Sequence, residues 1–289
     1  MLSATLELLR VRQWVKNVFV LAPLFFGSEA ADVAAVKRAA AAFIVFCLVS
    51  SAVYIFNDWR DVKADRQHAT KKLRPLASGR VPVPLALTVM GGLIVAAAAI
   101  VYLTRLPSGF AVAVAVYAAI NVGYSLGIKQ VSVVELFFVA SGFVLRLIAG
   151  ALALNIVLSP WIIIATAMLA LLMAAGKRRG DIAQQNDALN ERRSLAGYNL
   201  PFLDSVLTAL TGGTIVVYLL FCVSDYAVAR FGAGVLITSI PVTLGLLRYL
   251  QLVLVRGSGE SPTDLVLGDR GLLTILAVFG ACFAYLIYL

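Results

Sequence analysis

AAAAFIVFCLVSSAVYIF, residues Ala39–Phe56, runs without a charge into NDWRDVKAD, residues Asn57–Asp65. The first half approaches the length of a bilayer-spanning helix, about 20 apolar residues. The second half packs charges of both signs against the end of that run. A segment built this way reads as a transmembrane helix emerging at a charged membrane face. The rest of the 289-residue chain repeats the theme. Apolar runs cover about Trp14–Gly27 (extended backward by an amphipathic turn from Leu6), Ala39–Phe56, Pro84–Thr104, Gly109–Gly127 and Val131–Leu152. They continue over about Ser159–Gly176, Pro201–Val223, Ala233–Val255 and Gly271–Leu289. Gly and Pro mark many of the ends, as expected where helices stop. Lipid admits only helices or closed barrels, because every backbone polar group must be satisfied internally. These runs are too long and continuous for alternating barrel strands. The expectation is an all-α polytopic membrane protein: a bundle of nine spans, one domain over residues 1–289, with long loops at about 57–83 and 177–200.

Composition agrees. Hydrophobic residues make up 61% and charged residues 13%, with mean hydropathy +0.94. Soluble domains carry about twice that share of charge. Disorder, a disulfide scaffold and an ordinary cytosolic enzyme are excluded. Cys47, Cys222 and Cys282 lie in apolar runs without metal-type spacing and read as buried filler. The N-terminus, MLSATLELLRVRQWVKN, is interrupted by charge before any hydrophobic stretch and does not read as a cleavable signal peptide.

The net charge of +9 would suggest nucleic acid in a soluble protein. In a membrane protein it reports topology, since Lys and Arg collect in cytoplasmic loops. If the nine spans alternate, one side holds Arg10, Arg12 and Lys16, the seven cations between Arg60 and Arg80, Lys129, the five between Lys177 and Arg193, and Arg248, Arg256 and Arg270. The other side holds only Lys37, Arg38, Arg105 and Arg230. Arg146 falls inside a span. This asymmetry places the N-terminus inside and the C-terminus outside, with both long loops on the cytoplasmic face. No nucleic-acid partner is expected.

Positive-inside anchoring needs no carboxylates, so the acidic residues require another explanation. If the second span continues as helix, Asp58, Asp61 and Asp65 fall at i, i+3 and i+7, and Asn57 precedes Asp61 by four. All four side chains then share one face. Carboxylates so arranged repel unless a positive group sits among them. One reading is a hard divalent cation such as Mg²⁺, held by carboxylates and substrate phosphates. The other is a solvated helix end with Arg60, Lys63 and Arg66 as counter-ions. Arg66, His68, Lys71, Lys72, Arg74 and Arg80 follow. They suit either phosphate recognition, where Arg clamps oxygens bidentately, or anchoring to anionic lipid.

The second long loop opens Gly176-Lys177-Arg178-Arg179-Gly180-Asp181, with Asp187 and Glu191 beyond. It leads with cations and reads as a phosphate site or a lipid anchor, with Asp181 as an auxiliary metal ligand or orienting group. It follows span six as the first loop follows span two, so the loops suggest a pseudo-repeat. Lys16 and Asn17 begin the first span, and Tyr124 and Lys129 close the fourth. Glu135 and Arg146 share a face of span five, but about 16 Å of helix separates them. Each needs its own partners: for Arg146, a structural pairing or a substrate phosphate.

With Asn57, Asp58, Asp61 and Asp65 matching an NDxxDxxxD motif after the second span, the chain resembles the UbiA superfamily of intramembrane prenyltransferases. RQWVKN (Arg12–Asn17), NDWRDVKADRQHATKKLRPLASG (Asn57–Gly79), YSLGIK (Tyr124–Lys129), SGFVLRLIAG (Ser141–Gly150) and GKR (Gly176–Arg178) are similar to its decaprenyl-phosphate phosphoribosyltransferase branch. The likeness spans nearly the whole chain and is weakest after residue 200. Ala69 stands where that branch often has Pro. Lys177, Arg178 and Arg179 replace the second Asp-rich motif usual in aromatic prenyltransferases of the superfamily.

The resemblance implies a Mg²⁺-dependent transferase in the inner (plasma) membrane. It would move 5-phosphoribose from phosphoribosyl diphosphate to a polyprenyl phosphate. The implied metal site is Asn57, Asp58, Asp61 and Asp65, the three aspartates being catalytic. The implied substrate ligands are Lys16, Asn17, Arg66, Lys71, Arg74, Tyr124, Lys129, Arg146, Lys177, Arg178 and Asp181. Two other readings stand beside it: prenyl transfer to an aromatic or other lipid acceptor, and a transporter with charged gates. Transporters usually place ionisable groups near the bilayer midplane, whereas these concentrate in loops.

Overall fold

The computed structural model describes residues 2–27, 32–67, 70–183, 193–256 and 262–288. The described residues form α1 (Leu2–Leu9), a 3-10 segment (Val11–Val20), α2 (Ala22–Phe26), α3 (Val33–Gln67), α4 (Val83–Leu103), α5 (Ser108–Leu126), α6 (Val134–Leu154) and α7 (Pro160–Ala183). There follow α8 (Leu200–Cys222), α9 (Asp225–Phe231), a second 3-10 segment (Ala233–Thr238), α10 (Ser239–Leu254), α11 (Pro262–Gly268) and α12 (Arg270–Tyr288). Among the described residues, eight helical segments are long and apolar enough to cross a membrane. They correspond to the second through ninth expected spans.

The first expected span is not one helix. Arg10 takes a left-handed conformation at φ 51° and separates α1 from the 3-10 segment, a conformation uncommon for a residue other than glycine. The polar residues Arg12, Gln13, Lys16 and Asn17 follow within that segment, and Pro23 enters at the start of α2. The broken segment still runs antiparallel along α3, from Asp58 beside Arg10, past Ser51 and Ser50 beside Trp14 and Asn17, to Ala35 and Ala39 beside Leu21 and Leu24.

The chain divides into two compact units, Met1–Gly127 with Gly142–Leu158, and Ile128–Ser141 with Ser159–Leu289. In the first, α3 packs against α4, α5 and the 3-10 segment. The Asp32 carboxylate caps its start, accepting from the backbone N–H groups of Ala34 and Ala35 at 2.9 and 3.1 Å. Ala42, Val45 and Phe46 then pack with Phe110 and Tyr117 of α5 and with Ala149 and Ala153 of α6. A Cβ on Gly150 would collide with the Val20 carbonyl, so only glycine permits this approach to the 3-10 segment. On α4, Ile94, Val95, Tyr102 and Leu103 face outward, an apolar exterior suited to lipid.

In the second unit, Leu172 and Ala175 of α7 pack with Leu207 of α8, Leu246 and Tyr249 of α10, and Leu272 of α12. Asn199 caps α8 by accepting from the Phe202 N–H at 2.8 Å. Asp269 caps α12, accepting from the Leu272 N–H at 2.9 Å. It is also held by Arg248 at 2.7 Å, with Arg256 at 3.7 Å. The Arg248 hydrogen bond, then the Leu272 amide, pull its carboxyl down to about 2. A depressed carboxyl stabilises the fold fully above its unfolded value, about 3.9, and loses that contribution as pH falls through the folded value. Asp269→Ala is therefore expected to lower the thermal midpoint in detergent at neutral pH. The gap from wild type should narrow below about pH 4 and close near pH 2. A gap that persists unchanged into strong acid would disprove the role given to this carboxylate.

Candidate active site

Helix α3 continues past its apolar run to Gln67, so Asp58, Asp61 and Asp65 do lie on one helix at i, i+3 and i+7. Asp58 and Asp65 are buried, 3% and 6% exposed at their side chains. Carboxylates buried this deeply require partners, and arginines supply them. Arg10 Nη2 donates to Asp58 Oδ1 at 2.6 Å. Arg74 Nη1 donates to Asp58 Oδ1 at 3.2 Å and to Asp65 Oδ2 at 2.7 Å, bridging two turns of helix. These counter-ions come from outside α3, and not from Arg60, Lys63 and Arg66, which the salt-bridged reading of the sequence offers.

The local fold explains how both arginines arrive. Arg66 Nε donates to the Ala77 carbonyl at 3.2 Å, folding the following loop back on the helix. Gly79, at φ +76°, makes the turn. Arg80 reaches Glu7 through two hydrogen bonds of 2.8 and 3.0 Å, tying α1 to the same loop. The Arg10 guanidinium also lies over the Tyr54 ring, 5.0 Å from its centre.

The 3-10 segment is fastened along α3. Trp14 Nε1 donates to Ser51 Oγ at 3.0 Å, and Ser51 Oγ donates to the Leu9 carbonyl at 2.8 Å. Asn17 Nδ2 donates to Ser50 Oγ at 3.2 Å and contacts Cys47 Sγ at 3.3 Å. Arg146 Nε donates to Asn17 Oδ1 at 2.7 Å, Nη1 to the Gly142 carbonyl at 2.8 Å and Nη2 to the Tyr117 hydroxyl at 2.9 Å. Its guanidinium is also packed over the rings of Tyr117, Phe143 and Phe46. Of the two partners open to Arg146, the structure displays the structural pairing. Asn17 is likewise an interior anchor, fully buried.

In the second unit, α7 also outruns its expected end and reaches Ala183. Lys177–Asp181 are therefore helical and do not begin a loop. Arg178 grips Glu135 bidentately, Nε to Oε1 at 2.6 Å and Nη2 to Oε2 at 2.8 Å. It also bonds Asp181 Oδ2 at 2.7 Å. A phosphate reaching Arg178 would have to displace carboxylates. Arg179 pairs with Asp204 at 2.6 Å. Lys177 is exposed, and Asp61, Lys16, Lys71, Tyr124 and Lys129 are half-buried. His68, Ala69, Asp187 and Glu191 lie outside the described residues. The Arg10–Asp58 and Arg178–Glu135 pairings were not legible in advance. A carboxylate inside an apolar run signalled that Glu135 needs a partner, but nothing in the spacing identified it.

Among the described residues, no three His, Cys, Asp or Glu side chains are grouped to hold a metal ion. The donor chemistry nevertheless fits a hard cation. Asn57 Oδ1 is buried without a hydrogen-bond partner in the described structure, and Asn57 joins the acid row on α3. Hard divalent cations take such neutral and anionic oxygens together.

Residues 18–265 match the UbiA prenyltransferase family. A decaprenyl-phosphate phosphoribosyltransferase of Corynebacterium glutamicum is 35% identical, over 98% of this chain and 86% of that protein. One from Mycolicibacterium smegmatis is 37% identical, over 93% of this chain and 88% of that protein. In fold, a UbiA homolog from Archaeoglobus fulgidus solved with GPP and Mg²⁺ superposes with TM-score 0.74 at 19% identity, covering 99% of this chain and 100% of that one.

The Arg178–Glu135 pair is 4% and 0% exposed at its side chains. Removing one member of a buried pair strands the other's charge, at about 3–5 kcal/mol. Because Asp181 still pairs with Arg178, Glu135→Gln is expected to lower unfolding stability by less than that full penalty. The double variant Glu135→Leu/Arg178→Leu should recover most of the loss, as read by thermal unfolding in detergent. Equal stability of the single variant and wild type would contradict the assignment.

Proposed function

The chain belongs to the UbiA prenyltransferase family, and on that footing we propose that it transfers 5-phosphoribose from 5-phosphoribosyl 1-diphosphate to a polyprenyl phosphate of decaprenyl type. The observation that carries the reading is the near-full-length likeness to decaprenyl-phosphate phosphoribosyltransferases. The C1–O bond to diphosphate breaks, pyrophosphate leaves, and an oxygen of the lipid phosphate bonds to the anomeric carbon. The lipid phosphate is already an anion at neutral pH, so the step needs no general base.

Bound through Asn57, Asp58, Asp61 and Asp65, Mg²⁺ would neutralise charge on the departing pyrophosphate. Arg66, Lys71 and Arg74 follow the acid row closely in the chain and would hold phosphate oxygens, Arg74 once it leaves Asp58 and Asp65. Lys16, Tyr124, Lys129 and Lys177 add contacts to the sugar phosphate and the lipid phosphate. Asn17, Arg146 and Arg178, already engaged by protein partners, keep the surrounding frame in place, and Asp181 orients Arg178.

A charged sugar diphosphate comes from water. A polyprenyl chain leaves lipid only at about 0.8 kcal/mol per exposed CH₂. The reaction therefore belongs at the membrane boundary. The reading includes the plasma membrane, and the distribution of Lys and Arg supports its cytoplasmic face, with the N-terminus inside.

Purified protein given Mg²⁺, labelled phosphoribosyl diphosphate and decaprenyl phosphate is expected to form a labelled lipid. EDTA should stop the reaction and Mg²⁺ should restore it. Asp61→Asn should remove nearly all turnover with the fold intact. Efficient prenylation of 4-hydroxybenzoate, without a labelled phosphoribosyl lipid, would reject the reading in favour of aromatic prenyl transfer. Lys177→Ala should raise the KM for phosphoribosyl diphosphate about ten- to a hundredfold, the effect of losing one charge-assisted contact of roughly 1.5–3 kcal/mol. Wild-type kinetics in that variant would assign Lys177 to lipid anchoring instead.

A further inference from the structure

Arg74 and Arg10 occupy the electrostatic role that a cation would take at the acid row. Two buried carboxylates, Asp58 and Asp65, face two guanidiniums. The arginines are the accessible members: Arg10 is 25% and Arg74 29% exposed at the side chain, against 3% for Asp58 and 6% for Asp65. The guanidiniums thus lie between the carboxylates and the outside. Asn57 Oδ1 lacks a partner, but a neutral oxygen alone does not hold a divalent ion.

A divalent cation arriving by itself must expel Arg74 from two carboxylates and leave that guanidinium unpaired. A diphosphate arriving by itself must draw the arginines away and leave buried carboxylates uncompensated, which is costly. Arrival of both removes each penalty. The cation takes the carboxylates, and the guanidinium fork transfers to phosphate oxygens, which it fits as well as it fits carboxylate.

We propose that Arg74, assisted by Arg10, is an exchangeable counter-ion that neutralises Asp58 and Asp65 until a divalent cation and the substrate's diphosphate bind together. Cation and diphosphate then bind synergistically, and neither binds tightly alone. The inference rests on the proposed function only for a metal-assisted diphosphate leaving group, and pyrophosphate is a sufficient probe.

The test compares wild type and Arg74→Ala by two affinities: Mn²⁺ alone, read by electron paramagnetic resonance, and magnesium pyrophosphate, read by calorimetry. The two should move in opposite directions. Arg74→Ala should bind Mn²⁺ alone about tenfold tighter and magnesium pyrophosphate about tenfold weaker, within the usual range of coupling between sites. Arg74→Lys keeps the charge without the fork and should bind Mn²⁺ with intermediate affinity. It also serves, with Arg10→Ala, if the first variant does not fold. A purely structural role would weaken both affinities. That result, or Mn²⁺ binding no tighter than in wild type, overturns the proposal. Neither measurement needs turnover. Crossed affinities without phosphoribosyl transfer would reject the proposed function alone, and transfer without crossed affinities would reject the exchange alone.

Discussion

Two carboxylates buried at the end of a membrane-length helix must be neutralised, and much of the first unit is organised around how this is done. Arg10 and Arg74 reach Asp58 from opposite directions in the chain, 48 residues before and 16 after it. Each must be delivered by a backbone path. For Arg74 the path is the loop that Arg66 and Gly79 fold back on α3. For Arg10 it is the broken N-terminal segment. A straight transmembrane helix over those first residues would be the ordinary outcome of an apolar run. The left-handed turn at Arg10 gives up that regularity, and the residue that makes the turn also carries the counter-charge.

That segment needs anchoring, because a long 3-10 run is intrinsically weak. The anchors lie on one side of α3: Cys47, Ser50 and Ser51 receive Asn17 and Trp14. Arg146 completes them from α6, enclosed by aromatic faces and with hydrogen bonds from Nε and from both terminal nitrogens. A buried arginine is tolerable only when its donors are satisfied, and here that requirement also fixes Asn17. Separate hydrogen bonds at successive levels of α3 thus run from the polar interior of this unit to its charged end. The second unit uses the same device in different residues, with Arg178 held by Glu135 and Asp181.

The apolar runs alone specified an all-helical membrane protein, because lipid leaves few alternatives for chain of that composition. The spacing of Asp58, Asp61 and Asp65 specified a shared helical face, since periodicity is a local property. Where the first expected span broke, the local signals were contradictory: apolar residues interleaved with Arg12, Lys16 and Asn17. Pairing was beyond reach. Glu135 and Arg146 each announced the need for a partner by their place in an apolar run, but Arg178 and Asn17 lie 43 and 129 residues away from them. Contacts over such distances depend on how helices pack, which no spacing rule encodes. For the same reason one reading of the sequence offered Arg60, Lys63 and Arg66 as neighbours of the acid row, while the tertiary structure assigned that role to Arg10 and Arg74. A guanidinium pairs with the carboxylate that the fold brings within about 3 Å, and only the fold decides which one that is.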